Sequence, residues 1–169
     1  KQFKIDVIIR VTGDCPEISE EIVKILLKKY SQTNADYTVA ENCPVGFGAE
    51  IIKVSALKKI LKIKPNANMS EYMTYYFTSN KKIFKLNFIK LPKIMKKKYR
   101  MTIDYKKDLV FFRELYKCFD KEKKEMSFKN LNYIMKKYKY LGKINSNLKL
   151  SYKTDKKLIH KINRASKIY

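Results

Sequence analysis

At 169 residues and 45% hydrophobic content, the chain is long enough for one domain with its own core. No run approaches the roughly 18 apolar residues of a membrane span. Its three cysteines, Cys15, Cys43 and Cys118, form no C-x-x-C pair, which argues against a disulfide framework or zinc site and for a reducing cytoplasm.

The formal charge is +23, but Arg10, Arg100, Arg113 and Arg164 are the only arginines; the other basic residues are lysines spread along the chain. Readers of bases and phosphates favour the bidentate arginine fork, so nucleic acid is not the expected partner and solvated lysine faces are. The excess charge would still steer anionic substrates toward the surface.

Residues 5–11 open the pattern with an apolar run, Val7, Ile8, Ile9 and Val11 among them, that shows little alternation. Such a run predicts a central strand buried on both faces and in parallel company. Gly13 and Pro16 stop it, and Asp14 between them places a carboxylate at the strand's end. In open α/β sheets that edge is where ligands bind.

Ser19 is the expected N-cap of a helix with Glu20 and Glu21 in its first turn and Ile22, Ile25, Leu26 and Tyr30 as its apolar stripe. A second strand is expected over 35–39. The loop Glu41-Asn-Cys-Pro-Val-Gly-Phe-Gly48 follows, then a third strand over 49–54 and a helix capped by Ser55. Residues 70–79 read as a helix rich in tyrosine, and 82–89 as a half-exposed strand. A basic connector leads to a strand over 99–103 that ends at Asp104. Helices are expected over 107–119 and after Ser127. The tail from Tyr140 onward is polar and weakly patterned. Strands alternating with helices give an α/β sheet.

Asp14 and Asp104 share one setting: apolar strand, carboxylate, turn, helix. Two such carboxylates on neighbouring strand ends could hold one Mg²⁺, which takes one or two protein carboxylates and fills its shell with water and phosphate oxygens. Each could instead cap the turn that follows it, and pattern alone favours that plainer role. Gly46 and Gly48 allow close backbone approach to a ligand or simply a tight connection. Cys15 reads as a packing residue rather than a nucleophile, and His160 has no assigned role. Neither a Walker A loop nor a G-x-G-x-x-G fingerprint is present.

Val11-Thr-Gly-Asp-Cys-Pro16 resembles the T-G-D-C-P segment of the SpsF-like cytidylyltransferases, relatives of the CMP-sugar synthetases. Further segments agree in order: Asn34-Ala-Asp-Tyr37; Gly46-Phe-Gly-Ala-Glu-Ile-Ile52 followed by Ala56-Leu57; Ser70-Glu-Tyr-Met-Thr-Tyr-Tyr76; and Arg100-Met-Thr-Ile-Asp-Tyr-Lys-Lys-Asp-Leu109. The resemblance covers about residues 5–120. It implies a three-layer α/β/α sandwich of the GT-A-like nucleotide-diphospho-sugar transferase type with a mostly parallel sheet. It also implies transfer of a cytidylyl group from CTP to a sugar or sugar acid for surface glycan biosynthesis.

On the matching positions the resemblance makes Asp14 and Asp104 the catalytic Mg²⁺ ligands. Gly46, Phe47, Gly48, Glu50 and Tyr72 become substrate contacts, with Tyr72 standing where the family has His. Arg100 and Asp108 take supporting structural roles. The family's basic, glycine-containing loop that grips the triphosphate has no counterpart here, and Lys1 is not an initiator Met. The chain is therefore expected to be the later part of a longer transferase, with 1–125 in the transferase domain, 126–169 a helical and irregular extension of it, and little turnover alone. A homodimer is left open. A basic nucleic-acid-binding module and a remnant with the fold but no chemistry are the alternative readings.

Overall fold

A computed structural model describes residues 4–168 of the chain. Four strands, β1 (Val7–Arg10), β2 (Tyr37–Glu41), β3 (Glu50–Lys53) and β4 (Leu86–Lys90), form one sheet in the order β1-β3-β2-β4. Among the described residues eight α-helices accompany it: α1 (Glu20–Thr33), α2 (Val54–Ile63), α3 (Thr74–Thr78), α4 (Lys106–Lys121), α5 (Phe128–Lys137), α6 (Leu141–Asn145), α7 (Ser151–Thr154) and α8 (Lys156–Ser166).

The period-two geometry of the strands sends successive side chains to two separate cores. Val7, Ala40, Ile51 and Ile89 pack on one face with Ile22 and Leu26 of α1, Phe111, Phe112 and Leu115 of α4, and Leu131 and Ile134 of α5. Ile8, Tyr37, Val39, Ile52 and Leu86 pack on the other with Ala56 and Ile60 of α2 and Tyr76 and Phe77 of α3. The result is the expected α/β/α sandwich.

Strand pairing corrects the expectation in detail. β2 and β4 are parallel, but β3 runs antiparallel to both β1 and β2, so the sheet is mixed. β1 is an edge of this sheet among the described residues, and Ile9 is 47% exposed. The apolar run was a sound sign of contact on both faces, since Val7 and Ile8 enter opposite cores. It carries no information about which strands lie alongside.

Residues 99–103 form no full strand either. They are extended and make a single parallel bridge, Val45 to Arg100, before Ile103 turns to a second loop. The helix expected over 70–79 is split into a 3₁₀ turn (Ser70–Tyr72) and α3. Ser55 does not cap α2; Lys53 stands at that position with no side-chain bond. Ser19 and Ser127 do cap, accepting from the amides of Ile22 (3.3 Å) and Asn130 (3.2 Å). The weakly patterned tail folds into α6–α8, placing Leu141 in the first core and burying Ile162.

Candidate active site

Beyond the second core, on the same side of the sheet, lies a cleft of about 910 Å³. The turn after β1, the glycine loop before β3, the 3₁₀ turn and α3, residues 102–105 and residues 149–152 form its walls. Asp14, Asp104, Gly46, Gly48, Glu50 and Tyr72 all line it.

The turn after β1 is closed by the Cys15 amide donating to the Thr12 carbonyl at 3.1 Å. It is tied to the 99–104 segment twice. The Ile103 amide donates to the Asp14 carbonyl at 2.8 Å, and the Thr102 hydroxyl donates to Asp14 Oδ2 at 3.0 Å. These bonds bring two aspartates 90 positions apart in sequence to one wall. Burial alone would raise the Asp14 pKa, but the hydroxyls of Thr12 and Thr102 outweigh it and hold the carboxyl below its usual range. Asp14 is therefore ionised at neutral pH. Burial pushes the neighbouring Cys15 thiol up, which disfavours the thiolate form.

Asp104 sits on the turn into α4, its side chain 38% exposed. Its Oδ2 accepts from Arg100 Nη2, and its Oδ1 accepts nothing from the described residues. Arg100 is itself held by a bidentate pair with Asp108, Nε to Oδ1 at 2.8 Å and Nη2 to Oδ2 at 3.0 Å. Asp108 is fully buried and also accepts from the amides of Asp104 (3.1 Å) and Tyr105 (3.0 Å) and from Asn145 Nδ2 (3.0 Å). One buried carboxylate thus fixes the backbone of Asp104, the start of α4 and the guanidinium that touches Asp104.

The glycine loop is shaped by the same extended segment. The Val45 amide donates to the Tyr99 carbonyl at 3.2 Å and the Met101 amide to the Val45 carbonyl at 2.7 Å. Gly46 follows at φ +77°, and a Cβ there would lie 2.3 Å from the Met101 carbonyl oxygen. Gly46→Ala should destabilise the protein by about 2–4 kcal/mol, left-handed backbone and backbone overlap combined. Chemical denaturation checks this; a loss below about 0.5 kcal/mol, the range of neutral surface changes, would refute the close approach.

Phe47 does not belong with its neighbours. Its side chain is 1% exposed and packs in the first core against Phe128, ring centroids 5.5 Å apart. The loop alternates, glycine backbone toward the cleft and the phenyl ring away from it. Phe47 is an anchor, and its expected contact with substrate is withdrawn.

Glu50 is the centre of a polar cluster on the cleft floor. It accepts from Arg10 Nη1 at 2.6 Å, from the Tyr37 hydroxyl at 2.5 Å and from the Thr74 hydroxyl. Arg10 and Glu50 are cross-strand partners in the β1–β3 register. Tyr37 is positioned by stacking on Phe77, centroids 5.0 Å apart and planes 12° from parallel. Burial, reinforced by the Glu50 charge, raises its phenol well above the ordinary value. Sequence reading missed Arg10, Tyr37 and Thr74. Arg10 left a usable sign: a charged residue inside an apolar strand, next to the Thr-Gly-Asp turn. Tyr72 faces Tyr152 across the cleft mouth with centroids 6.3 Å apart, and burial raises its phenol, so it remains a donor.

The family model for cytidylyltransferases matches residues 1–150. This chain belongs to the cytidylyltransferase family. It is 33% identical over 121 residues to the uncharacterized protein MJ1063 of Methanocaldococcus jannaschii, spanning 71% of this chain and 50% of that one. It is 30% identical over 115 residues to the spore coat polysaccharide biosynthesis protein SpsF of Bacillus subtilis, spanning 67% and 48%. A cytidylyltransferase structure from Leptospira borgpetersenii superposes with a TM-score of 0.66 at 26% identity, over 86% of this chain and 61% of that one. The chain thus spans about half the length of the curated relatives it matches. Membership of this family places the chain among the nucleotidyltransferase families.

Among the described residues no group of three or more His, Cys, Asp or Glu side chains converges as a metal cage. The cleft offers instead two carboxylates, hard oxygen donors, one held below its usual pKa and one with an oxygen that accepts nothing from the described residues. That donor set suits Mg²⁺, which seldom occupies dedicated protein cages and keeps positions for water and phosphate.

Proposed function

We propose that the chain supplies the acceptor pocket and the metal-binding carboxylates of an enzyme that transfers a cytidylyl group from CTP to a sugar or sugar acid. The product would be a CMP-sugar for surface glycan synthesis. The observation that carries this reading is the pair of bonds from residues 102 and 103 to Asp14, which sets Asp14 and Asp104 on one wall of a cleft in a chain of this family.

An acceptor hydroxyl oxygen would attack the CTP α-phosphorus and lose its proton to solvent. The bond from that phosphorus to the bridging oxygen would break, and pyrophosphate would leave. Asp14 and Asp104 would hold Mg²⁺, which when bound neutralises charge on the transferring group. Arg100 limits the charge of Asp104, and Asp108 keeps Arg100 in place. Glu50 spends its oxygens on Arg10, Tyr37 and Thr74, so it would act by orienting those three toward the sugar. Tyr72 and Tyr152 would offer ring faces to the carbon-bound hydrogens of a sugar or to a base.

No helix among the described residues is long and apolar enough to cross a membrane. Three free thiols fit a reducing compartment and support a cytoplasmic location.

Two measurements test the reading. The full-length protein with CTP, Mg²⁺ and a panel of sugars and sugar acids should release pyrophosphate; release with none of them would overturn it. Mn²⁺ added to the chain should broaden the amide resonances of Asp14, Thr102 and Asp104 first. Broadening centred elsewhere would remove the metal role while leaving the cytidylyl assignment to the first assay.

A further inference from the structure

A second pocket of about 580 Å³ lies beside the Val45–Arg100 bridge, between the basic connector and the 146–153 segment. Its walls carry Lys96, Lys97, Lys98 and Lys153, and no carboxylate lines it. The cleft next door has mixed charge, with Asp14, Glu50, Glu71 and Asp104 on its walls beside Arg10 and Lys149. None of the four lysines makes an ion pair among the described residues. Arg100 also borders the pocket, but its guanidinium is committed to Asp108 and Asp104.

Both walls are anchored from behind. On the connector side, the Tyr99 hydroxyl donates to Asn132 Oδ1 at 2.9 Å and Asn132 Nδ2 donates to the Ile94 carbonyl at 3.4 Å. On the other side, Asn145 Nδ2 is bonded to the Arg100 carbonyl at 3.2 Å and to Asp108. The segments that flank the lysines are therefore held in place, and four lysines line one concavity. A bound anion would relieve their mutual repulsion. Asn42 and Ser146 add neutral hydrogen-bonding groups at the same walls. The volume falls in the range of small-molecule sites, about 300–1,000 Å³. Lysine as a point charge suits phosphate oxygens.

We propose that this pocket binds a small soluble anion carrying two or more phosphate groups. The lysines come from two segments on either side of one concavity, which favours a compact ligand over a nucleic-acid strand. Cys43, Val45 and Leu150 border both cavities, so an occupant here shares a wall with the active-site cleft. The proposal does not depend on the transfer reaction.

The test is calorimetric titration of the chain with sodium pyrophosphate in EDTA, so that no divalent metal can recruit the anion to Asp14 and Asp104. Saturable binding at one site is expected. Lys97→Ala with Lys153→Ala should weaken it at least tenfold. Lys28→Ala with Lys58→Ala, which removes the same charge from exposed positions on α1 and α2, should leave it within twofold. Equal weakening by both double variants would mean diffuse attraction by net charge and overturn the site, as would the absence of saturable binding. Tighter binding of a single-stranded oligonucleotide, reduced alike by both double variants, would assign the lysines to a polyanion surface instead.

Discussion

Asp108→Ala should lower the unfolding free energy by about 3–5 kcal/mol, the cost of leaving a buried charge without its partner. The estimate belongs to the upper class because Arg100 is 7% exposed and Asp108 0%. Removing the carboxylate leaves the guanidinium with only the partly exposed Asp104, leaves the amides of Asp104 and Tyr105 without their acceptor, and reduces Asn145 to its bond with the Arg100 carbonyl. For that reason the double variant Arg100→Met, Asp108→Leu should not recover full stability, although apolar replacement of a buried pair is often neutral. Each unsatisfied donor costs about 1–3 kcal/mol. Urea denaturation of the two variants decides it; a loss under about 1 kcal/mol for Asp108→Ala would place the pair in the surface class.

The same group shapes the acid limb. Burial would raise the Asp108 pKa, but bonds from Arg100, Asn145 and two amides bring it below the ordinary value. Glu21 is likewise lowered, burial being outweighed by the Phe128 amide and the Ser19 hydroxyl. A carboxyl whose folded pKa is depressed contributes stability that is complete above the unfolded value, about 3.9 for Asp and 4.3 for Glu. That stability is lost as pH falls through the folded value. Stability should therefore drop on acidification below about pH 4, and the drop should be shallower in Asp108→Ala. Equal slopes in the two proteins would show that Asp108 is not depressed.

What the sequence made legible follows from what side-chain pattern encodes. Periodicity located α1, α2, α4, α5 and the four sheet strands but not α6–α8 in the weakly patterned tail, and serines before acidic or polar turns marked two true caps, Ser19 and Ser127. The ordered motifs identified the family and brought Asp14 and Asp104 forward together. Pattern could not show strand order. Val7-Ile-Ile-Arg10 reads the same whether its neighbour is parallel or antiparallel, because both arrangements bury the same side chains. Nor could it separate Phe47 from Gly46 and Gly48. Adjacent residues in an extended loop face opposite ways, and only the packing of Phe128 decides which way is inward. Thr74 was invisible for a related reason: its hydroxyl meets Glu50 from another element, and no local signal marks that meeting.

The Asp108 scaffold bears on the chemistry through Asp104. In the full-length protein, Asp104→Asn and Asp14→Asn should each reduce the rate of pyrophosphate release from CTP by on the order of 10²–10³, the scale of losing one charge-stabilising group at a reacting phosphate. The double variant should lose little more than the worse single, because groups that act as one unit do not contribute additively. Asn preserves size and one acceptor oxygen, so Thr102 and Ile103 can keep their bonds to residue 14 and the fold should persist; unchanged melting temperatures would confirm it. The metal dependence separates a ligand role from a merely structural one. Both single variants should need higher Mg²⁺ for half-maximal rate, whereas Glu50→Gln, which disturbs Arg10, Tyr37 and Thr74, should raise the sugar KM and leave the Mg²⁺ requirement unchanged. Full activity of Asp104→Asn at ordinary Mg²⁺ would leave Asp104 as a partner of Arg100 alone and remove the two-carboxylate site.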